Sequence, residues 1–184
     1  MHPHLQSILF SEEEIRTRVC EMGKQISRDF AGQEVVMIGI LKGAAIFFSD
    51  LIRAIDESVV VSIDFMAISS YGSATKSTGV VRIMKDLDHD ITGKHIIIVE
   101  DIIDSGMSLQ FLREVLLTRG ARSLSICVLL DKPSRRRTHV DVHYTGFEIP
   151  DEFAVGYGLD YDEHYRELPL IGVLKPEVYT NEEG

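Results

Sequence analysis

The sequence predicts an α/β fold, a doubly wound parallel-sheet core with helices on both faces, and three observations carry that prediction. Strand-like and helix-like segments alternate along most of the chain. The strand segments Val35 to Ile40, His95 to Val99 and Ser123 to Leu130 are near-continuous apolar runs, the pattern of strands buried on both faces. The helical segments between them carry their apolar residues on one stripe. With 184 residues, the chain suits one domain, residues 1–184.

Each element follows from local signals. Ser11 with Glu14 three positions on reads as a capping box, and Ile15, Val19, Met22, Ile26 and Phe30 follow at helical spacing, giving a helix of about 18 residues that stops near Gly32. Val35 to Ile40 is the first buried strand. Ala44 to Ile55 is the second helix, with Phe47, Leu51 and Ile55 on one face. Strands follow at Val59 to Met66, Val80 to Met84 and His95 to Val99. A helix from Ser108 to Arg119 presents Leu109, Leu112 and Leu116 inward and ends at Gly120. Ser123 to Leu130 is a further strand, and Val140 to Tyr144 and Phe153 to Val155 are short ones. Ser69 to Gly79, rich in small polar residues and flanked by strands, reads as a long loop that serves as an active-site lid.

Composition excludes several classes. At 45% hydrophobic and 26% charged residues the chain is neither disordered, collagenous nor coiled coil. Twenty-nine acids against 19 bases leave a net charge of −10, which argues against gripping nucleic acid by phosphate neutralisation. The longest apolar run, Val35 to Leu41, is far shorter than the ~20 residues of a membrane helix. The N-terminus carries no secretory pattern, and Cys20 and Cys127 are expected to be buried reduced thiols, so a cytoplasmic address is expected.

The chemistry concentrates in residues 96–108, Ile-Ile-Ile-Val-Glu-Asp-Ile-Ile-Asp-Ser-Gly-Met-Ser. Four apolar residues are followed by Glu100, Asp101 and Asp104 at the strand's C-terminal end, where ligands bind in open α/β sheets. Clustered carboxylates raise one another's pKa unless a cation or hydroxyls share the site, which implies a metal or polyol ligand. Asp104-Ser105-Gly106-Met107-Ser108 then opens a helix whose unpaired N–H groups make an anion cradle. Carboxylates beside an anion cradle fit a ribose phosphate. The plain alternative is an ordinary strand-to-helix turn in which Ser105 or Ser108 caps the helix. No GxxxxGK[ST] occurs and no GxGxxG follows a strand, which excludes a P-loop and a dinucleotide-binding turn. The histidines show no zinc spacing; His139 and His143 read as surface or core residues, and Arg135-Arg136-Arg137 as a solvated or subunit-interface turn.

These thirteen residues resemble the pyrophosphoryl-ribose-phosphate (PRPP) signature of type I phosphoribosyltransferases. The similarity extends to the hypoxanthine-guanine phosphoribosyltransferases through Gly39-Ile40-Leu41-Lys42-Gly43, Ser70-Tyr71, Leu130-Asp131-Lys132-Pro133 and the run from Gly146 to Tyr161. The resemblance implies the family's doubly wound fold with a small base-recognition hood, and a magnesium-dependent purine-salvage enzyme. That enzyme would transfer phosphoribose from PRPP to hypoxanthine and guanine, giving IMP and GMP with pyrophosphate. A PRPP-binding regulator of the same fold and a xanthine-preferring transferase stand as alternatives. A homodimer or homotetramer is implied, with no nucleic-acid or membrane partner.

Residue roles follow from the same resemblance. Asp104 is implied as the general base. Glu100 and Asp101 would face the ribose hydroxyls and a magnesium ion, and Ser105, Gly106, Met107 and Ser108 would hold the 5′-phosphate. Lys42, Gly43 and Arg166 would hold pyrophosphate, with a non-proline cis peptide at Lys42–Gly43. Lys132, Phe153 and Ala154 would bind the purine by its 6-oxo group, face and edge. Asp160 would lie beside the purine and ligate a second magnesium. Ser70 and Tyr71 would belong to the closing loop.

Overall fold

The structure is a computed structural model and describes residues 2–70 and 81–180. Its centre is a six-stranded sheet in the order β4-β3-β2-β5-β6-β7, formed by Glu34–Leu41 (β2), Val60–Ser70 (β3), Val81–Lys85 (β4), His95–Ile103 (β5), Ser123–Asp131 (β6) and Tyr144–Glu148 (β7). All neighbours run parallel except β4, which is antiparallel to β3. A second sheet, in the order β1-β9-β8, joins Leu5–Phe10 (β1), Ile171–Leu174 (β9) and Ala154–Val155 (β8) antiparallel. This is the hood that the resemblance implies. The helices are Glu12–Asp29 (α1), Ala45–Arg53 (α2), Met107–Thr118 (α3) and the short Pro176–Tyr179 (α4).

The continuous apolar strands are continuous because each of their faces meets a helix layer. Val35, Met37, Ile97, Val99, Cys127 and Leu129 pack on Ile15, Val19, Met22 and Ile26 of α1 and on Phe47, Phe48 and Leu51 of α2. The intervening Val36, Ile38, Ile96, Ile98, Ile126 and Val128 pack on Leu109, Leu112 and Leu116 of α3. Period-two alternation thus divides one sheet between two cores. The hood has its own small cluster, with Leu5, Val155 and Leu174 fully buried. The capping box at the start of α1 is present, with Glu14 N donating to Ser11 Oγ at 3.3 Å and Ser11 N donating to Glu14 Oε2 at 2.8 Å.

The structure departs from the sequence expectations in five places. First, β3 runs four residues past Met66 because Ala67 to Ser70 pair with β4, so Ser69 and Ser70 are strand residues; Tyr71 and the rest of the expected lid lie outside the described residues. Second, β5 continues through Glu100 and Asp101 to Ile103, held by pairs with β6 at Ile102–Leu130 and Ile103–Asp131. Third, the strand expected at Val140 to Tyr144 begins at Tyr144. The backbone before it is taken up elsewhere: Arg137 N and Thr138 N both donate to Ser105 O, and Val140 is buried in the α3 layer. Fourth, β1 and β9 carried no clear strand pattern. Fifth, Cys20 is exposed and only Cys127 is buried, because Cys20 sits one position, about 100° of helix, past the buried Val19.

Among the described residues, no helix is long and apolar enough to cross a membrane. The two thiols give a direct check on packing. Burial pushes the Cys127 thiol well above its ordinary pKa, and the thiolate is the reacting form. A maleimide or disulfide reagent is expected to label Cys20 alone in native protein and both thiols in denaturant, with Cys127 slower by roughly 10³-fold or more when folded. Equal labelling rates would mean that the α1/α2 layer is not packed on β6.

Candidate active site

The topology creates a crevice where β2 and β5 part. From β2 the chain goes outward to β3 on one side, and it later returns to β5 on the other. The β2–β5 pairing ends at Gly39–Val99. Beyond that point, the turn after β2 and the carboxylate-bearing end of β5 face one another across a topological switch point.

Contact across the crevice is close. A Cβ placed on Gly43 would lie 1.7 Å from Asp101 Oδ2 and 2.6 Å from its Cγ, so only glycine lets the two meet. The cis peptide is the Leu41–Lys42 bond, one residue before the expected position. Glu100 and Asp101 sit side by side and are only partly exposed. Withdrawal from water, followed by the charge of Asp101, pushes the Glu100 carboxyl well above its usual range. Burial raises Asp101 as well, offset in part by hydrogen bonds and by the nearby Arg166 guanidinium.

Past β5, Asp104 and Ser105 lead into α3, whose N-cap is Gly106 at φ 83°, a left-handed conformation that glycine adopts without strain. No side chain caps this helix, which counts against the plain capping alternative for Ser105 and Ser108. Ser105 Oγ accepts only a long bond, 3.4 Å, from Met107 N. A cavity of about 190 Å³ opens over Glu100, Asp101, Ser105, Gly106 and Ser108. A second, of about 230 Å³, is lined by Lys132, Phe153, Ala154, Leu159 and Asp160. Asp101, Ile102 and Asp104 line both, so the two hollows meet at the carboxylates.

In the second hollow Lys132 is buried with its Nζ 3.8 Å from Asp151 Oδ1, and burial lowers its pKa. Phe153 is 37% exposed and therefore not a core residue; Tyr179 stacks on it at 5.0 Å and Tyr161 meets it edge-on at 5.5 Å. Ala154 is fixed by its β8 pairing with Val173.

At the hood side of the crevice four charges interlock. Arg166 Nη1 lies 2.9 Å from Asp160 Oδ1 and donates to Gly158 O at 2.7 Å, while its Nη2 lies 3.3 Å from Glu163 Oε1. Lys42 Nζ lies 2.7 Å from the other Glu163 oxygen, Oε2. Glu163, which no sequence motif singles out, thus joins Lys42 to Arg166. Arg135 and Asp151 were also missed: Arg135 Nε lies 2.8 Å from Asp104 Oδ1, and its Nη1 lies 3.3 Å from Asp151 Oδ1. Arg136 pairs with Asp131, so the arginine turn is tied to the site rather than merely solvated. His139 is exposed and pairs with Asp141, and His143 Nδ1 accepts from Ile126 N. Of the residues expected in the site, only Ser70, whose side chain is not described, and Tyr71 escape placement.

A doubly wound sheet with adjacent acids at its switch point and a glycine-capped helix beside them defines a nucleotide-handling α/β protein. A family model described as phosphoribosyl transferase domain matches residues 6–162, and the chain belongs to the phosphoribosyltransferase family. It is 52% identical over 181 residues to a hypoxanthine-guanine phosphoribosyltransferase of Mycobacterium avium, covering 95% of this chain and 88% of that one. It is 51% identical to one of Staphylococcus aureus strain Mu50, covering 98% and 100%. A crystal structure of a hypoxanthine phosphoribosyltransferase from Staphylococcus aureus superposes with a TM-score of 0.94 at 51% identity, covering 98% of this chain and 97% of that one.

The Gly43–Asp101 approach yields a stability test. Gly43→Ala forces the turn or the carboxylate to move and is expected to cost about 1–3 kcal/mol, a fall in Tm of roughly 2–12 °C. Adding Asp101→Ala should recover much of that loss, since the obstructing oxygen is gone. Strict additivity in differential scanning calorimetry would show that the two residues do not touch.

Proposed function

We propose that this chain is a magnesium-dependent 6-oxopurine phosphoribosyltransferase, a pentosyltransferase of purine salvage. It transfers phosphoribose from PRPP to hypoxanthine, and to guanine, giving IMP or GMP and pyrophosphate. One observation carries the reading: the two hollows share Asp101 and Asp104, with an anion cradle on one side and the buried cation Lys132 on the other. We take the chain, residues 1–184, as one catalytic domain acting in the cytoplasm as a homodimer or homotetramer, without nucleic-acid or membrane partners.

In this reading the backbone amides of Ser105, Gly106, Met107 and Ser108 hold the 5′-phosphate at the positive end of α3. Glu100 and Asp101 accept hydrogen bonds from the ribose hydroxyls. Lys42, Gly43 and Arg166 hold pyrophosphate, where a guanidinium suits bidentate contact. Lys132 donates to the 6-oxo group; adenine offers a donor there instead and is rejected, because the lysine would be left buried and unpaired. Phe153 lies on the purine face, with Tyr179 backing its ring, and Ala154 meets the purine edge through backbone atoms. Asp104 takes the proton from the purine as its ring nitrogen attacks C1 of the ribose and the C1–pyrophosphate bond breaks. Such a centre needs little activation of the nucleophile, so the site works by alignment and charge placement.

The donors fit magnesium. Among the described residues, no three metal-binding side chains gather. Magnesium characteristically takes one or two carboxylates and completes its shell with water and substrate oxygens. Glu100 and Asp101 would hold one ion and Asp160 a second, and the raised pKa values of the adjacent pair mark carboxylates that a cation would relieve. Bound there, magnesium would neutralise charge on the departing pyrophosphate.

The test is a steady-state assay with PRPP, magnesium and hypoxanthine, guanine, xanthine, adenine and uracil in parallel. Hypoxanthine and guanine should be consumed and adenine rejected, and EDTA should abolish turnover. No nucleotide from any oxopurine would sink the reading in favour of a PRPP-binding regulator, and a dominant xanthine activity would replace the preferred base. Asp104→Asn is expected to lower kcat by roughly 10²–10⁴ while PRPP still binds, measured by calorimetry. Unchanged turnover would remove Asp104 as the base.

A further inference from the structure

We infer that Arg135 is a positioning residue for this reaction, holding Asp104 away from Lys132 so that the carboxylate and the ammonium both remain free for the purine. The inference rests on the phosphoribosyltransferase reading above. Arg135 closes the short 3-10 turn Pro133–Arg135 that follows Lys132, and its backbone N donates to Lys132 O at 3.2 Å. From there one guanidinium meets two carboxylates. Its Nε lies 2.8 Å from Asp104 Oδ1, and its Nη1 lies 3.3 and 3.4 Å from the two oxygens of Asp151. Asp151 in turn has Lys132 Nζ at 3.8 Å.

The orientation of Asp104 follows. Its Oδ1 is buried without a hydrogen-bond partner and meets Arg135 as an ion pair, although the side chain as a whole is 44% exposed, so the exposed polar atom is Oδ2. Arg135 therefore holds the inner oxygen and leaves the outer one for the purine proton. Charge balance gives the reason such a residue is needed. Lys132 already feels the Asp104 and Asp151 carboxylates, with Glu152 a weaker influence and Arg135 opposing them. Two cations face two nearby carboxylates, and deleting Arg135 leaves Lys132 as the only one of the two cations. Asp104 is then drawn onto it, tying up proton acceptor and oxo-group donor in one ion pair across the base pocket. Arginine suits the position because its planar fork spans two carboxylates, whereas a lysine ammonium is a point charge that serves one.

The experiment is a double-mutant cycle read with hypoxanthine and PRPP varied separately. Arg135→Gln is expected to lower kcat/KM for hypoxanthine by roughly 10–100-fold and leave KM for PRPP within about twofold, and Arg135→Lys should recover part of the loss. In an Asp104→Asn background, adding Arg135→Gln should change kcat/KM by less than about twofold, because the carboxylate it acts through is gone. An equal loss in both backgrounds, a matching rise in KM for PRPP, or no loss at all would overturn the inference. A parallel cycle in Tm reads the contact without turnover: the Arg135→Gln shift should shrink in Asp104→Asn, and strict additivity would overturn the inference even in an inactive protein. Absence of any nucleotide with the unsubstituted chain would instead overturn the reading on which it rests.

Discussion

The structure is organised around two adjacent carboxylates that follow four consecutive buried apolar residues, Ile96 to Val99, on one strand. Ile96 to Val99 are fully buried, and the chain then places Glu100 and Asp101 on the same continuing strand, where withdrawal from water raises both pKa values. Charge in such a place is costly unless something compensates it. The neighbourhood supplies only part of the compensation. Arg166 lowers Asp101 from a distance, and Ile102 N donates to Asp101 Oδ1 at 2.7 Å. The demand for glycine at position 43 comes from the same pair, because the turn after β2 must press against Asp101. The parting of β2 from β5 after Gly39 and Val99 makes room for both.

Seen from this constraint, the legibility of the sequence divides by physical cause. The central strands and α1 to α3 were readable because burial on two faces and on one stripe leaves unmistakable runs, as in Ile96 to Val99 or Leu109, Leu112 and Leu116. Their ends were less so. Nothing local says that β5 continues through Glu100 and Asp101, since polar residues ordinarily end a buried strand; the continuation is imposed by pairing with β6. The hood strands carry weak signals because their ladder is short and broken by register shifts between Leu5 and Ser7 and between Ile8 and Phe10. Val140 to His143 looked strand-like, but Arg137 and Thr138 just before it bond to Ser105 O and Val140 is buried in the α3 layer, a tertiary demand invisible to a window of ten residues.

The same division runs through the site. Glu100 to Ser108 are contiguous, so their chemistry could be read together. Lys132, Phe153 and Asp160 stand alone in sequence, and they were placed by resemblance rather than by spacing. Arg135 and Glu163 were missed because their partners lie 31 and 121 positions away in number, at Asp104 and Lys42, and a short run of like charges on a turn reads as solvated. The one available signal was in plain view: both lie within three residues of a residue already assigned to the site, Lys132 or Arg166.

These late-found pairs alter the meaning of the chain's acidity. Six acids against two bases fall between Met84 and Asp104, and seven against one between Glu148 and Glu167, which accounts for the whole net charge of −10. In the folded protein each cation proposed for the substrate already faces a carboxylate: Lys42 meets Glu163, Arg166 meets Asp160 and Glu163, and Lys132 meets Asp151. On the proposed reading, a bare polyphosphate approaching this surface would have to displace carboxylates from Lys42 and Arg166 and would be repelled by the displaced groups. A polyphosphate carrying magnesium would meet a different surface, because the acids that repel the free anion would then serve as ligands or counter-charges for its cation. Exposed pairs such as Lys42–Glu163 are weak enough to exchange partners at little cost. On the proposed reading, the acidic surplus is therefore better matched to a metal-complexed substrate than to the free anion, with Lys42 and Arg166 exchanging carboxylate partners for phosphate.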